Sequence, residues 1–321
     1  MAKITFLVHK GKEYTIAKYL ASWGQELADR VAVRHYPRLH STGHTWLKRL
    51  SQEVRALRVG TLEHPGPPTG EPQIYVFTDI ERLSRSETAT AEDLFRRLEA
   101  HPDTALMLNH PVHSRRRLEL LQTLKARGLN SFGVYPAAAG PTPVNWPVFV
   151  RDENEHGGSF SDLLQSQAEL EAELSRLRPT GLASKVVVEH CDTADAKGII
   201  RKFGAFRIGD RIVARQIHFS RHWVVRVPDL KAPWTAREEL EYVEDNPRQQ
   251  ELMEIFELAR IDYGRVDYSV LDGKIQVWEI NTNPMVLIPK DRDDPLRFAA
   301  HDRFGQQLNA TLSDLLARVS D

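Results

Sequence analysis

Tyr263-Gly-Arg-Val-Asp-Tyr-Ser-Val-Leu-Asp-Gly-Lys-Ile-Gln-Val-Trp-Glu-Ile-Asn-Thr-Asn-Pro284 decides how this chain is read. Residues 265 to 271 and 275 to 281 are rich in β-branched and aromatic side chains, and Asp272-Gly273 between them is a turn signal. The stretch is therefore expected to be a β-hairpin. On its second strand Glu279 and Asn281 are two residues apart and share a face. Whether Asp267 joins them depends on the turn, because a two-residue loop pairs Asp267 with Trp278 and puts Glu279 on the opposite side. We expect a three-residue loop with Gly273 in the left-handed region. That loop brings Asp267, Glu279 and Asn281 together as three oxygen ligands, a set suited to hard magnesium ions that also hold nucleotide phosphates. In this reading Gln276, Trp278 and Ile280 form one face and Val277, Glu279 and Asn281 the other. The plain alternative is an acidic hairpin with its polar groups in water. A carboxylate beside valine weighs against it, since burial of that face demands a partner. Pro284 cannot continue a ladder and ends the strand.

Arg265-x-Asp267 followed by Glu279-x-Asn281-x-x-Pro284 resembles the C-terminal metal motif of the ATP-grasp enzymes. The Gly-Arg-x-Asp opening is closest to the D-alanine:D-alanine ligases. The resemblance implies that Asp267 and Glu279 bind one Mg²⁺, that Glu279 and Asn281 bind a second, and that Arg265 holds the phosphoryl group during transfer. Two divalent ions bridging the phosphates, with an arginine on the moving charge, make consistent electrostatics. Mn²⁺ is an expected substitute.

Composition sets the outer bounds. At 321 residues the chain can form two or three lobes with a large core. Its 43 lysines and arginines almost balance 44 aspartates and glutamates, so no global field recruits nucleic acid or an anionic membrane. Cys191 is the only cysteine, which excludes an intramolecular disulfide framework and fits a reducing, cytoplasmic setting. No apolar run approaches a membrane span, and residues 4 to 8 are too few for a signal-peptide core.

Lys3 to Val8 reads as a buried strand, followed by a helical stretch with Ile16, Leu20, Trp23 and Leu27. Residues 31 to 36, 73 to 78 and 105 to 108 read as further strands, and 46 to 58 and 91 to 100 as helices. The alternation predicts a small parallel sheet, with His9, Lys10 and Asp79 beyond its C-terminal strand ends. A helix to Arg127, stopped by Gly128, starts at the basic run Arg115 to Arg117, unfavourable there unless it meets an anion or solvent. In the ribosomal-protein glutamate ligases a similar helix presents a lysine to ATP phosphates, and Arg117 falls at that position.

Trp146 to Arg151 is a strand leading to Asp152-Glu-Asn-Glu-His-Gly-Gly158. This looks like the ATP-grasp strand and glycine-containing loop that closes over phosphates, which implicates Arg151, His156, Gly157 and Gly158; glycine lets backbone N–H groups approach an anion. Residues 160 to 177 read as a core-facing helix. Lys185 to Glu189 reads as a central strand, and with the residues that follow it resembles the hinge that frames adenine. By that resemblance Glu189, His190 and Cys191 surround the base, and Asp192 or Asp195 takes the ribose. Residues 199 to 208 and 211 to 227 form an expected antiparallel pair, in which Arg201 and Lys202 resemble a phosphate-contacting position. Arg215, His218, Arg221, His222 and Arg226 suggest a basic pocket for an acidic substrate or phosphate rather than zinc, as no cysteine or carboxylate completes a zinc pattern. Residues 236 to 243, 248 to 260 and 302 to 319 read as helices.

The expected fold is α/β: a Rossmann-like N-terminal domain over 1–110, then a two-lobed α+β ATP-grasp clamp divided into 111–186 and 187–321. The expected activity is ATP- and Mg²⁺-dependent joining of a small-molecule or peptide carboxylate to an amine acceptor through an acyl phosphate. A homodimer is the expected assembly, without nucleic acid or membrane partners. A kinase built on the same clamp and a non-catalytic nucleotide-binding module are the alternatives.

Overall fold

Ile4 to Val8 are buried without a break, as a strand covered on both faces requires. The computed structural model describes residues 1–37, 59–154 and 158–320, so the helix read at 46–58 lies outside the described residues. The first five strands are β1 (Lys3–Val8), β2 (Val31–His35), β3 (Gly60–Thr61), β4 (Gln73–Phe77) and β5 (Thr104–Leu108). They pair in parallel in the order β3-β2-β1-β4-β5. Helix Arg85–Glu99 carries the chain from β4 to β5, starting from a capping box between Ser84 and Glu87.

The order reverses between β1 and β4, where sheets of this kind usually open a crevice. The chain itself fills it. Asp79, buried in a left-handed conformation (φ 54), accepts hydrogen bonds from the His9 amide (2.9 Å), Arg82 (2.5 Å) and Asn283 Nδ2 (2.7 Å). Thr282 donates to Glu81 (2.7 Å) and accepts from the Ile80 amide (3.1 Å). The exit of the hairpin is thus plugged into the mouth of the parallel sheet.

Two antiparallel sheets follow. One is β6 (Val134–Pro136), β8 (Lys185–Glu189) and β7 (Val148–Asp152), in that spatial order. Val187 packs with Leu170, Leu174 and Leu177 of helix Gln167–Leu177, while Val186 and Val188 pack with Leu120, Leu121 and Leu124 of helix Arg117–Ala126. That two-sided burial is why β8 reads as an unbroken valine run. The helix read at 160–177 begins only at Gln167, capped by Ser166. Leu164 instead runs beside Val148, exchanging backbone hydrogen bonds of 2.8 and 2.9 Å.

The second antiparallel sheet has the order β10 (Arg211–Ser220), β9 (Ile200–Ile208), β11 (Tyr263–Leu271) and β12 (Lys274–Asn281). Helices Pro233–Asp245 and Gln249–Ala259 lie between β10 and β11 in the chain, and helix Phe298–Arg318 follows β12. The last starts four residues earlier than its apolar spacing indicates. A chain of rings from Phe6 through Tyr263 and Phe206 to Phe304 joins this sheet and the C-terminal helix to the parallel one.

The hairpin turn differs from its expected form. Leu271 pairs with Lys274, and Asp272 (φ 50) and Gly273 (φ 77) make a two-residue turn with both residues left-handed. Tyr268 pairs with Val277, but the next pair is Asp267 with Glu279, so Trp278 is an extra residue, a β-bulge. The bulge, not a longer loop, sets Glu279 opposite Asp267. It also redistributes the faces: Ile275, Val277 and Ile280 enter the core, while Glu279 and Asn281 line a cavity.

Asn109 ties the parallel sheet to β11. Left-handed (φ 64) and buried, it donates to the Phe77 carbonyl (2.8 Å) and the Tyr263 carbonyl (2.7 Å) and accepts from the amides of Asp262 (2.7 Å) and Tyr263 (2.9 Å). Asn109→Ala leaves those groups without their partner and puts a less tolerant residue in a left-handed conformation. A loss of about 3 kcal/mol is expected in urea unfolding; a change under about 0.5 kcal/mol, the scale of ordinary surface substitutions, would contradict the tie.

Candidate functional site

The two antiparallel sheets face each other across a cavity of about 410 Å³. Two groups of side chains line it. The first is apolar and aromatic: Phe149 from β7, His190 and Cys191 just after β8, and Trp223. Trp223 stands 4.9 Å from the Phe149 ring and edge-on to His190 at 5.7 Å. Burial lowers the pKa of His190, Asp192 opposing it, and burial raises that of the Cys191 thiol. Both groups are therefore held toward their neutral forms beside the rings.

The second group is charged: Arg151 and Gly158 from the β7 side, Lys202 from β9, Arg265 and Asp267 from β11, and Glu279 and Asn281 from β12. Asp267 is 3% exposed, and a carboxylate there must be compensated. It accepts from Arg265 Nε (2.7 Å) and Nη2 (3.3 Å), and Lys202 Nζ lies 3.4 Å away. Glu279 accepts from Arg117, and Arg151 Nη2 lies 3.6 Å from the same carboxylate oxygen. Burial and the charge of Arg117 push Arg151 down to about 10, against the pull of Glu279. Asn281 Oδ1 accepts from the Asn283 amide (2.9 Å).

Two carboxylates and an amide oxygen on one wall fit a hard divalent cation in kind. Among the described residues, no group of three or more His, Cys, Asp and Glu side chains is arranged to hold a metal; the third side-chain oxygen on this wall belongs to the amide of Asn281. As they stand, these oxygens are held by guanidinium, ammonium and amide groups.

Several residues singled out from sequence lie elsewhere. Arg117 does not line the cavity; it donates to the carbonyls of Asp152 (3.1 Å) and Glu153 (2.6 Å) as well as to Glu279. Arg115 bonds the Leu258 carbonyl (2.6 Å), and Arg116 the Leu83 carbonyl (2.7 Å). The basic run thus joins elements distant in sequence, its charge directed largely at carbonyl dipoles and at Glu279. Arg201 points away from its neighbour Lys202, as strand alternation demands, and pairs with Asp195 (2.6 Å) and Glu238 (2.6 Å). Asp195 is exposed, and its bonds to Arg201 and two amides hold it down to about 2. Asp192 caps a turn by accepting from the Ala194 amide (2.9 Å). Neither acid lines the cavity. His156 and Gly157 lie outside the described residues.

Glu189 borders the cavity, but its carboxylate is occupied. It accepts from the amides of Gly133 (2.8 Å), Val144 (3.0 Å) and Asn145 (3.0 Å), from Asn145 Nδ2 (2.9 Å) and from the Tyr135 hydroxyl (2.7 Å). It pins the proline-rich connector to the sheet rather than presenting an acid to a ligand.

Sequence reading missed the part played by residues 223 to 227. The strand read to 227 ends at Ser220, whose hydroxyl donates to Asp229 (2.8 Å) and accepts from the His222 amide (2.8 Å), closing a loop. That loop delivers Trp223 and Arg226 to the cavity. Ser220 and Pro228 were the available signals for its ends. The expected basic pocket does not assemble as read. Arg215 is buried over the Phe304 ring and bonds the Val286 carbonyl (2.9 Å), and His222 is exposed near Asp229. His218 is buried, and desolvation with Lys202, Arg297, Arg265 and Arg215 around it drives its pKa well down.

Burial alone would raise the Glu189 pKa; the hydrogen bonds from Asn145, Tyr135 and Gly133 outweigh it and hold the carboxyl below the usual range. Its contribution to stability is therefore present above the unfolded carboxyl value of about 4.3 and is lost as pH falls through the depressed folded value. The melting-temperature gap between wild type and Glu189→Gln should be constant from about pH 6 to 8 and shrink below about pH 4. A gap unchanged down to pH 3 would contradict this.

Among the described residues no helix is long and apolar enough to cross a membrane. No family model matches the chain, and no curated protein sequence matches it. Among solved structures, it is similar to D-cycloserine synthetase DcsG, at 16% identity and a TM-score of 0.49 over 97% of this chain and 100% of that one. It is also similar to a RimK domain protein ATP-grasp from Sphaerobacter thermophilus, at 14% identity and a TM-score of 0.48 over 97% and 98%. A third is D-alanine–D-alanine ligase from Bacillus anthracis, at 13% identity and a TM-score of 0.47 over 99% and 98%.

Proposed function

We propose that the chain is an ATP-dependent ligase of the ATP-grasp kind, in which a Rossmann-like N-terminal domain supports a two-lobed clamp. It activates a substrate carboxylate as an acyl phosphate and passes the acyl group to an amine. One observation carries this reading: Asp267, Glu279 and Asn281 share a cavity wall with Arg265 and Lys202, opposite Arg151, in the same cavity that Phe149, His190 and Trp223 line. A nucleotide needs such a pairing of a ring slot with a polyphosphate and metal site.

In this reading Trp223, Phe149 and His190 bind the base by stacking, which their largely neutral, desolvated surroundings favour. Arg151 and Lys202 bind and orient the phosphates, with Gly158 leaving room for backbone to approach them. Asp267, Glu279 and Asn281 would hold Mg²⁺, which when bound neutralises charge on the transferring phosphoryl group. Arg265, anchored on Asp267, is aimed at the same place and stabilises charge on the moving group. A carboxylate is a poor acyl donor, and conversion to the acyl phosphate supplies a leaving group. The amine then attacks the acyl carbon and phosphate departs. Holding the two substrates together supplies much of the acceleration by itself.

Calorimetric titration of ATP with and without Mg²⁺ tests the site. Wild type should bind ATP at least about tenfold tighter with Mg²⁺, and Glu279→Gln should lose that gain. ADP release that requires a carboxylate and an amine together would then separate a ligase from a kinase, which would yield a stable phosphorylated hydroxyl product. Failure of wild type to bind ATP under either condition would overturn the assignment.

A further inference from the structure

Arg215 has no partner on β9: the register passes from Ala214 opposite Ala205 to Gln216 opposite Gly204, which makes Arg215 the extra residue of a second bulge. It is 5% exposed. Its Nε donates to the Val286 carbonyl (2.9 Å) and its guanidinium lies over the Phe304 ring, but among the described residues its buried Nη1 has no hydrogen-bond partner. The carboxylates that act on its charge are Glu239 and Asp293, and both are committed elsewhere. Glu239 takes two bonds from Arg297 (2.5 and 2.8 Å) and one from the Ile217 amide (3.2 Å). Asp293 is bonded by His301 (2.7 Å) and the Asp294 amide (2.8 Å). Burial and the charges of Arg297 and Arg265 push Arg215 down to about 9, against the pull of Glu239 and Asp293. A buried guanidinium without a carboxylate of its own is costly, unless a ligand supplies the anion. Its neighbours face the cavity. Gln216 pairs with Gly204 and His218 with Lys202, so both share the face on which Lys202 lines the cavity. The side chains of Gln216 and Arg265 close over Gly204, where an added Cβ would stand 3.1 and 3.3 Å from them. His218 is half-buried, its buried Nδ1 has no hydrogen-bond partner among the described residues, and Lys202, Arg297, Arg265 and Arg215 all act on it.

We propose that Arg215 and His218 form a carboxylate-binding subsite next to Arg265, and that one of the substrates carries a carboxylate in addition to the one that is activated. The proposal rests on the ligase reading above and deepens it by naming the charge that its substrate bears. A carboxylate clamped by a guanidinium and an imidazole N–H has its oxygens engaged, so it serves as a handle. The reacting carboxylate belongs at the metal wall, where Arg265 faces the phosphoryl group. A neutral His218 still offers one N–H, and Arg215 supplies the charge. The handle is carried by the acyl donor or by the amine; both present the same chemistry to Arg215, and the test separates them.

The test is a set of NMR titrations of the full chain at fixed ionic strength, with and without the β,γ-imido analogue of ATP and Mg²⁺. The probes are succinate and glutarate, each beside its diamide, and alanine beside alaninamide. Wild type should bind at least one acid about tenfold or more tighter than its amide, and the His218 ring signals, assigned by their loss in His218→Gln, should shift with it. Preference for a dicarboxylate places the handle on the acyl donor; preference for alanine alone places it on the amine. Arg215→Met should lose the preference while binding the analogue as wild type does. Should that variant fail to fold, His218→Gln decides, and it should weaken acid binding without changing analogue binding. Wild type that prefers none of the acids to its amide would overturn the subsite while leaving the nucleotide site standing. So would an Arg215→Met protein that keeps the preference, the outcome expected of an arginine that merely braces Val286 and Phe304. Failure of wild type to bind the analogue would overturn the ligase reading, and acid binding in the nucleotide-free protein then decides the subsite by itself.

Discussion

Asp267 and Glu279 face each other on neighbouring strands, largely shielded from water, and neither can remain charged there without a cation. Much of the architecture answers that requirement. Several of the surrounding elements contribute a positive group: Arg265 from the same strand as Asp267, Lys202 from the adjacent strand, Arg151 from the opposing sheet and Arg117 from a helix start. Because the cations come from both antiparallel sheets and a helix, charge compensation and the packing of these elements are one problem. The pairing holds three layers in register around a cavity, and the same groups suit a ligand that carries both phosphate and a divalent cation.

The hairpin is positioned from behind as well. Thr282 and Asn283 leave β12 directly into the mouth of the parallel sheet, where Asp79, Glu81 and Thr15 receive them. The crevice at the strand-order reversal therefore serves as a socket for the hairpin, and Asn109 fastens the neighbouring strand β11 to the same sheet. These buried contacts connect the N-terminal sheet to the end of the strand that carries Glu279 and Asn281. Buried polar networks of this sort are costly to break in part.

Much of this was legible in the sequence, through patterns with a local physical cause. The valine run of β8, the parallel alternation of the first hundred residues and the hairpin around Asp272-Gly273 follow from burial periodicity and turn chemistry. The juxtaposition of Asp267, Glu279 and Asn281 was also readable, but by another device: the turn is the short one, and the extra residue is Trp278 within the strand. A bulge depends on what the strand packs against and leaves little mark in a single sequence. The same limit applies to partner choice. Nothing local distinguishes Glu189, enclosed by five donors, from an acid open to a ligand, or Arg201, turned to Glu238, from Lys202, turned to the cavity. The basic run at 115 to 117 was anomalous for a helix start, and the anomaly was informative. Its partners, carbonyls and a carboxylate distant in sequence, became visible only in three dimensions.

The most direct test of the account is a crystal structure of the protein with the β,γ-imido analogue of ATP and Mg²⁺. The account predicts the base against Trp223 and His190, the phosphates on Arg151 and Lys202, and the metal beside Asp267, Glu279 and Asn281. A nucleotide seated elsewhere, or a metal bound away from Asp267, Glu279 and Asn281, would contradict it.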